Sequence, residues 1–150
     1  LGCGGGALAL ALRPLAPRVS GCDISARGIA LARINARLNG LTDTSAPEFL
    51  PGDLYAPFDN ERFTRIVCQP PFIPEAGAAA TFASGGPLGD AITLRVLHGL
   101  ANHLTPNGRA VLCVEWAGGE AHPWRQRVLD ALAHHPMHGI HCELFRTPME

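Results

Sequence analysis

The sequence has little charge and almost no net charge. Only 17% of its 150 residues are charged, and the formal net charge is -1 at pH 7. No global basic field would therefore draw the chain to nucleic acid or to an anionic lipid surface. The sequence also has no apolar run long enough to cross a membrane. A chain of this length suits one domain built around one core.

Cysteine pairs at redox or metal-site spacing are absent as well. The five cysteines form no C-x-x-C pair, and their odd number argues against a disulfide framework. Cys22, Cys68 and Cys113 lie in apolar, strand-like runs. We therefore expect reduced, buried thiols in a cytoplasmic protein.

Histidines are concentrated near the end of the sequence. His134, His135, His138 and His141 lie close to Cys142. These residue types bind zinc, but a proline and a glycine between them break any single helical face. We expect exposed imidazoles at a helix end and no metal site.

An initiating methionine is the last notable absence. The chain opens at Leu1 and Gly2, with the pattern of a strand-to-loop junction. We therefore expect a first strand, with an N-terminal region before it, upstream of Leu1.

The sequence does have a regular alternation of strand and helix patterns. Apolar residues repeat at strand or helix spacing, and Pro, Gly and Asn stand where elements should end. The predicted strands are 18–22, 48–50, 65–68, 109–116 and 140–145, and the predicted helices are 7–13, 26–38, 90–104 and 120–134. This alternation predicts βαβ units in a doubly wound, mostly parallel sheet with helices on both faces.

Each predicted helix carries apolar residues at helical spacing, which we expect to face the core. Ser25 is the predicted N-cap of the second helix, and a turn is predicted at 105–108. The predicted inward faces are Leu8, Ala11 and Leu12; Leu31, Ile34 and Leu38; Leu94, Leu97, Ala101 and Leu104; and Trp124, Val128 and Leu132.

Ligands of such sheets bind beyond the carboxyl ends of the strands, and four segments stand at such ends. The first is the glycine-rich turn Gly2–Gly6. Its backbone can approach a nucleotide or amino-acid ligand closely, and the following helix N-terminus adds positive partial charge. The turn also fits the relaxed dinucleotide fingerprint, and a plain flexible loop is the alternative.

Acidic residues follow the next two strands. Asp23 stands about 20 residues after the glycine turn, where an acid accepts ribose hydroxyls of either NAD or S-adenosyl-methionine. Its alternative role is a helix N-cap. Asp53, in the segment 51–54, can accept a hydrogen bond from an exocyclic amine such as that of adenine. Its alternative role is a solvated turn aspartate.

The fourth segment is Gln69-Pro70-Pro71-Phe72, after the fourth predicted strand. Two prolines stiffen the backbone so that its carbonyls face the cleft. The aromatic ring can stack on a planar acceptor, and the amide can hydrogen-bond to one. This suits gripping an amine or amide nitrogen, where positioning supplies most of the rate. The alternative is a strand terminator with Phe72 in the core.

Together the four segments resemble class I S-adenosyl-methionine (SAM)-dependent methyltransferases, which implies a Rossmann-like fold. Leu1–Gly6 looks like the first motif of that family without its upstream acid. The resemblance implies that the cofactor-binding residues are Gly2, Cys3, Gly4, Gly6, Asp23, Ile24, Asp53, Leu54 and Gln69. It implies that the residues acting on the methyl acceptor are Gln69, Pro70, Pro71 and Phe72.

The segment Gln69–Phe72 is similar to the Asn-Pro-Pro-Tyr/Phe motif of enzymes that methylate amide or exocyclic nitrogens. The pattern is similar to release-factor glutamine methyltransferases and to small-domain rRNA guanine methyltransferases. Gly85–Gly89 and the segment 107–115 also resemble the release-factor enzymes, and the likeness covers residues 1–118. It implies a protein or RNA substrate recognised largely through regions outside this sequence.

One residue departs from that motif. Gln69 stands where the family usually has Asn, Asp or Ser, and its extra methylene moves the amide by over an ångström, about enough to cost a hundredfold in rate. Three alternatives follow: the acceptor is placed differently, the acceptor is not a nitrogen, or the domain is a catalytically silent partner subunit. A nicotinamide-dependent dehydrogenase is the other alternative, but it requires neither Asp53 nor the segment 69–72.

Overall fold

The computed structural model describes residues 1–42, 44–74, 83–115 and 123–133. Helices and strands alternate through these residues, as the sequence predicts. In chain order they are α1 (Ala7–Leu12), β1 (Ser20–Asp23), α2 (Ala26–Leu38), β2 (Glu48–Pro51), β3 (Phe63–Cys68), α3 (Ala91–His103), β4 (Leu104–Leu112) and α4 (Trp124–Leu132), with short 3-10 helices at Arg13–Leu15 and Ala56–Phe58. The predicted strand at 140–145 lies outside the described residues.

The four strands form two parallel pairs. β1 pairs with β2 from Ser20↔Glu48 to Asp23↔Pro51, and α2 connects them. β3 pairs with β4, and α3 connects them. Each pair is therefore a βαβ unit of an α/β, Rossmann-like fold, in which parallel strands need a helical crossover.

β4 begins earlier than the sequence predicts. Its register passes from Phe63↔Leu104 to Arg65↔Arg109, so β4 uses more residues than β3 over the same span. Asn107 lies there with a left-handed φ of 66°. The turn predicted at 105–108 is thus an irregularity within β4, because a local bulge leaves the ladder on both sides intact.

The first three residues connect the two pairs. The backbone nitrogen of Cys3 donates to the carbonyl of Cys22 in β1 at 2.8 Å. The amino group of Leu1 donates to the carbonyl of Val67 in β3 at 2.9 Å. An apolar cleft of about 390 Å³ opens between β1 and β3. The first strand expected upstream of Leu1 stays a prediction.

The predicted inward faces of α1 and α2 are wrong. Leu8 of α1 is 48% exposed, and it lines the cleft with Leu12, while Ala9 is buried. The predicted face of α2 is also exposed, and its buried residues are Ile29, Ala32 and Ala36. The exposed fractions in α2 are 44% for Leu31, 50% for Ile34 and 78% for Leu38.

Close packing against the glycine turn explains the error in α2. A Cβ added to Gly6 would lie 2.9 Å from the Cβ of Ala32 and 3.1 Å from the ring of Phe49. Only small side chains on α2 allow the turn to approach this closely. Hydrophobic periodicity favours leucines over alanines, so it pointed to the wrong face.

The second half of the core packs α3 and α4 against β3. Leu97 and Leu132 are buried there, as predicted, and Val128 packs against them. Leu94 and Leu104 are partly buried and also pack against this core, as predicted. Val96 and Leu100 are buried in addition to the predicted residues, whereas Ala101 is only half-buried. None of the described helices combines the length and apolarity needed to cross a membrane.

Candidate functional site

The glycine turn and the end of β1 are joined through Asp23. The carboxylate oxygen Oδ2 of Asp23 accepts from the backbone nitrogen of Gly4 at 2.7 Å. The other oxygen, Oδ1, accepts from the nitrogen of Ser25 at 2.8 Å. Ser25 is the N-cap of α2, as predicted, and its hydroxyl accepts from Gly28 at 3.1 Å. Asp23 therefore holds the turn in place and leaves the capping to Ser25.

The glycine turn has a backbone that other residues rarely adopt. Gly2, Gly4 and Gly6 have φ values of 61°, 50° and 85°. A Cβ at Gly2 or Gly4 would meet no heavy atom within 4 Å, whereas Gly6 is buried against α2. The outer part of the turn therefore presents bare backbone to open space, while the inner glycine serves packing.

The end of β2 lies beside the end of β1. The nitrogen of Gly52 donates to the carbonyl of Asp23 at 2.9 Å, and the thiol of Cys22 donates to the carbonyl of Leu54 at 3.0 Å. Leu54 has a left-handed φ of 49°. The structure thus brings Asp53 and Leu54 to the same sheet edge as Asp23. Ile24 also lies there, 79% exposed.

Sequence reasoning missed Arg95 at this site. Its guanidinium donates to Oδ2 of Asp53 at 2.7 Å, and both side chains are about half exposed. Oδ1 of Asp53 keeps its acceptor capacity for another donor. Arg95 lies 42 residues further along the chain, in α3. No local pattern signals such a contact.

The segment after β3 stands at the end of the other strand pair, which residues 1–3 link to β1. β3 ends at Cys68, next to the carbonyl of Val67 that binds Leu1. Pro70 is fully buried and anchors the segment, whereas Gln69 is exposed. Pro71 and Phe72 are half-buried, so the ring of Phe72 is not a core residue. Gln69 and the two acidic residues follow different strand pairs, which residues 1–3 link.

The thiols beneath the site are protonated at neutral pH. Burial, followed by the nearby Asp23 carboxylate, raises the pKa of Cys3 to about 11. Burial also raises the pKa values of Cys22 and Cys68. Thiols in this state are poor nucleophiles and weak metal ligands.

Cys3 should therefore be alkylated slowly at pH 8, where about one thiol in a thousand is ionised at that pKa. We expect the rate of its reaction with iodoacetamide to rise steadily up to about pH 11. Mass spectrometry of peptides after timed labelling measures it, with the exposed Cys113 as the internal control. Labelling of Cys3 as fast as that of Cys113 at pH 8 would contradict this prediction.

Metal ligands do not cluster in the part of the chain that the structure describes. No three His, Cys, Asp or Glu side chains are grouped there so as to hold an ion. The histidine cluster at 134–141 lies outside those residues. The residues of the candidate site offer backbone groups, carboxylates and an amide, which can form hydrogen bonds to a ligand.

Comparison with known proteins identifies the family. The family described as "Methyltransferase small domain" matches residues 1–120. A release factor glutamine methyltransferase of Moorella thermoacetica is 35% identical over 132 residues, which cover 80% of this chain and 46% of that protein. A ribosomal RNA large subunit methyltransferase G of Klebsiella pneumoniae is 39% identical over 75 residues, 48% of this chain and 20% of that protein.

A solved structure supports the same fold. The ribosomal protein L11 methylase of Lactobacillus delbrueckii superposes with a TM-score of 0.63 and 25% identity, over 88% of this chain and 55% of that one. The chain spans less than half the length of the curated relatives it matches. The chain thus belongs to the methyltransferase small domain family and has a Rossmann-like fold.

Proposed function

We propose that this protein transfers a methyl group from SAM to an amide or exocyclic nitrogen of a protein or RNA. The observation that carries the proposal is that the glycine turn links the two strand pairs after whose ends the other three segments stand. The glycine turn binds β1 through Cys3 and β3 through Leu1, and β1 binds the end of β2. The segment Gln69–Phe72 begins directly beyond that point.

The residues present fit SAM. The open space above Gly2 and Gly4 is a cradle that any Cβ would enter, which suits the methionine part of the ligand. Each carboxylate oxygen of Asp23 accepts one hydrogen bond from a backbone nitrogen. Each oxygen can still accept a second hydrogen bond, from a ribose hydroxyl. Asp53 and Leu54 stand next to Asp23 for adenine. Ile24, Cys3 and Gly6 complete the proposed cofactor-binding set, and Gln69 borders it with its main role toward the acceptor.

The chain would contribute positioning to the reaction. When bound, SAM supplies a sulfonium methyl group that the lone pair of an acceptor nitrogen attacks in line. The amide of Gln69 would orient that nitrogen by hydrogen bonding, and Phe72 would stack on its planar group. The described residues offer no evident general base, so we propose that the acceptor proton passes to water.

The class of acceptor follows from the same segment. In a planar amide and in a nucleobase amine, the acceptor nitrogen is sp² and belongs to a planar group. Either group could therefore bind beside the segment Pro70-Pro71-Phe72. Two of the relatives are named as a release factor glutamine methyltransferase and a ribosomal RNA methyltransferase, which supports a protein or an RNA as the substrate. We propose that regions beyond these 150 residues choose between them.

The free thiols of Cys3, Cys22, Cys68 and Cys113 support a reducing, cytoplasmic location.

The test combines binding with transfer. Calorimetric titrations of the full protein with SAM, S-adenosyl-homocysteine and NAD should show binding of the first two. Tritiated methyl groups should then reach macromolecules in an extract from a strain lacking this protein. Loss of the label on protease or on ribonuclease treatment separates the two acceptor classes. Binding of NAD alone would contradict the proposal, and SAM binding without transfer would favour a catalytically silent partner subunit.

A further inference from the structure

We propose that Gly89 is a positioning residue for the acceptor loop, which we define as residues 69–74. It acts with the supporting segment, defined as residues 83–90 ahead of α3. The inference rests on the proposed function, since it explains how the acceptor-gripping residues are held. Neither the sequence pattern nor the family assignment gives Gly89 this role.

Backbone hydrogen bonds join the acceptor loop to the supporting segment. The nitrogen of Ile73 donates to the carbonyl of Ala83, and the nitrogen of Gly85 donates to the carbonyl of Ile73, both at 2.9 Å. Ile73 and Ser84 form a parallel bridge. The loop after β3 is therefore paired with a second strand-like piece of chain at Ile73, next to Phe72.

Gly89 is in closer contact with the loop than any other residue type would allow. A Cβ at Gly89 would lie 2.3 Å from the carbonyl oxygen of Phe72 and 3.3 Å from Cδ of Pro74. The first distance is to backbone, so the loop itself would have to move. Gly89 is buried and has a φ of 77°. A substitution there would push directly on the residue proposed to stack on the acceptor.

The supporting segment is itself firmly held. A Cβ at Gly85 would lie 2.1 Å from the carbonyl oxygen of Gly89, and the nitrogen of Ala91 donates to the carbonyl of Gly85 at 2.7 Å. Asp90, at the start of α3, forms a buried ion pair with Arg127 of α4 at 2.8 Å. Gly89 therefore cannot move away from the acceptor loop. A side chain at this position would instead displace the backbone of Phe72.

Gly40 supplies a matched control. It has nearly the same backbone, with a φ of 71°, but it is exposed and a Cβ there would meet nothing within 4 Å. Gly40→Ala therefore carries the cost of a left-handed alanine without any pressure on the loop. The difference between Gly89→Ala and Gly40→Ala isolates the contact with Phe72.

The experiment measures transfer, SAM affinity and amide exchange in the full protein. In Gly89→Ala we expect turnover to fall by about 10- to 100-fold, because displacement by about 1 Å at a reacting centre costs that much. The affinity for SAM should stay within about twofold of the wild type, and Gly40→Ala should match the wild type in both. The amide of Ile73 should exchange at least about tenfold faster in Gly89→Ala alone, because its bond to Ala83 is lost.

Two outcomes would overturn the inference. One is a folded Gly89→Ala with the turnover of Gly40→Ala, and the other is unchanged exchange at Ile73. If Gly89→Ala does not fold, Ile73→Pro removes the same hydrogen bond at an exposed position and should reproduce the loss of turnover. Absence of transfer by the wild type, with faster exchange in Gly89→Ala, would refute the proposed function and support the link between segment and loop.

Discussion

Replacing Gln69 with alanine is expected to lower turnover by about 30- to 1,000-fold and to leave the affinity for SAM within about twofold. The loss corresponds to about 2–4 kcal/mol, the range found on deleting one preorganised donor from a catalytic site. Gln69 is exposed at the end of β3, and the fully buried Pro70 beside it fixes the backbone. The substitution should therefore remove a hydrogen bond to the acceptor without unfolding the segment.

Labelled methyl transfer to the extract measures this loss without a known substrate. Asn102→Ala removes an exposed amide of α3 away from the acceptor loop and is the control, with expected turnover equal to the wild type. Equal turnover of Gln69→Ala and the wild type would contradict a role for this side chain in gripping the acceptor.

Gln69→Asn distinguishes two arrangements of the pocket. Asparagine restores the residue usual in the family that the motif resembles. If the acceptor is a planar amide or base at the usual distance, Gln69→Asn should retain or raise turnover. If the pocket has adapted to the longer side chain, asparagine should fall short of the acceptor and behave like alanine, because a shift of about 1 Å costs about a hundredfold.

Replacing Asp23 with alanine is expected to raise the dissociation constant for SAM by at least about tenfold. Two hydrogen bonds to ribose would be lost, and bonds to a charged group contribute at least about 1.5 kcal/mol. The structure adds a second cause, because the same carboxylate holds the nitrogens of Gly4 and Ser25. We expect Gly4→Ala to weaken binding to a similar extent, since its Cβ would enter the open space proposed for the ligand.

Calorimetric titration of the full protein with SAM measures both variants. Asp59→Ala, at an exposed acid after the second 3-10 helix, is the control for loss of a negative charge. It should bind SAM as the wild type does. Unchanged affinity in both Asp23→Ala and Gly4→Ala would place the cofactor site elsewhere in the protein.

Most of the fold could be predicted because local signals determine where elements begin and end. Ser25 caps α2 through its own hydroxyl, and prolines end β3. The inward faces of α1 and α2 could not be predicted in the same way. Their orientation depends on how closely the glycine turn approaches Ala32 and on the cleft that Leu8 lines. Both features arise only when the helices and strands pack together, so no local sequence signal predicts them.

The sequence by itself determined the alternation of strands and helices, the parallel pairing that follows from it, and the four segments at the strand ends. Only the tertiary structure decided the contacts of those segments. The ion pair between Asp53 and Arg95 and the contact between Gly89 and Phe72 join residues on different elements. The physical reason is that propensities and turn preferences act within a few residues, whereas these contacts depend on the positions of whole helices and strands.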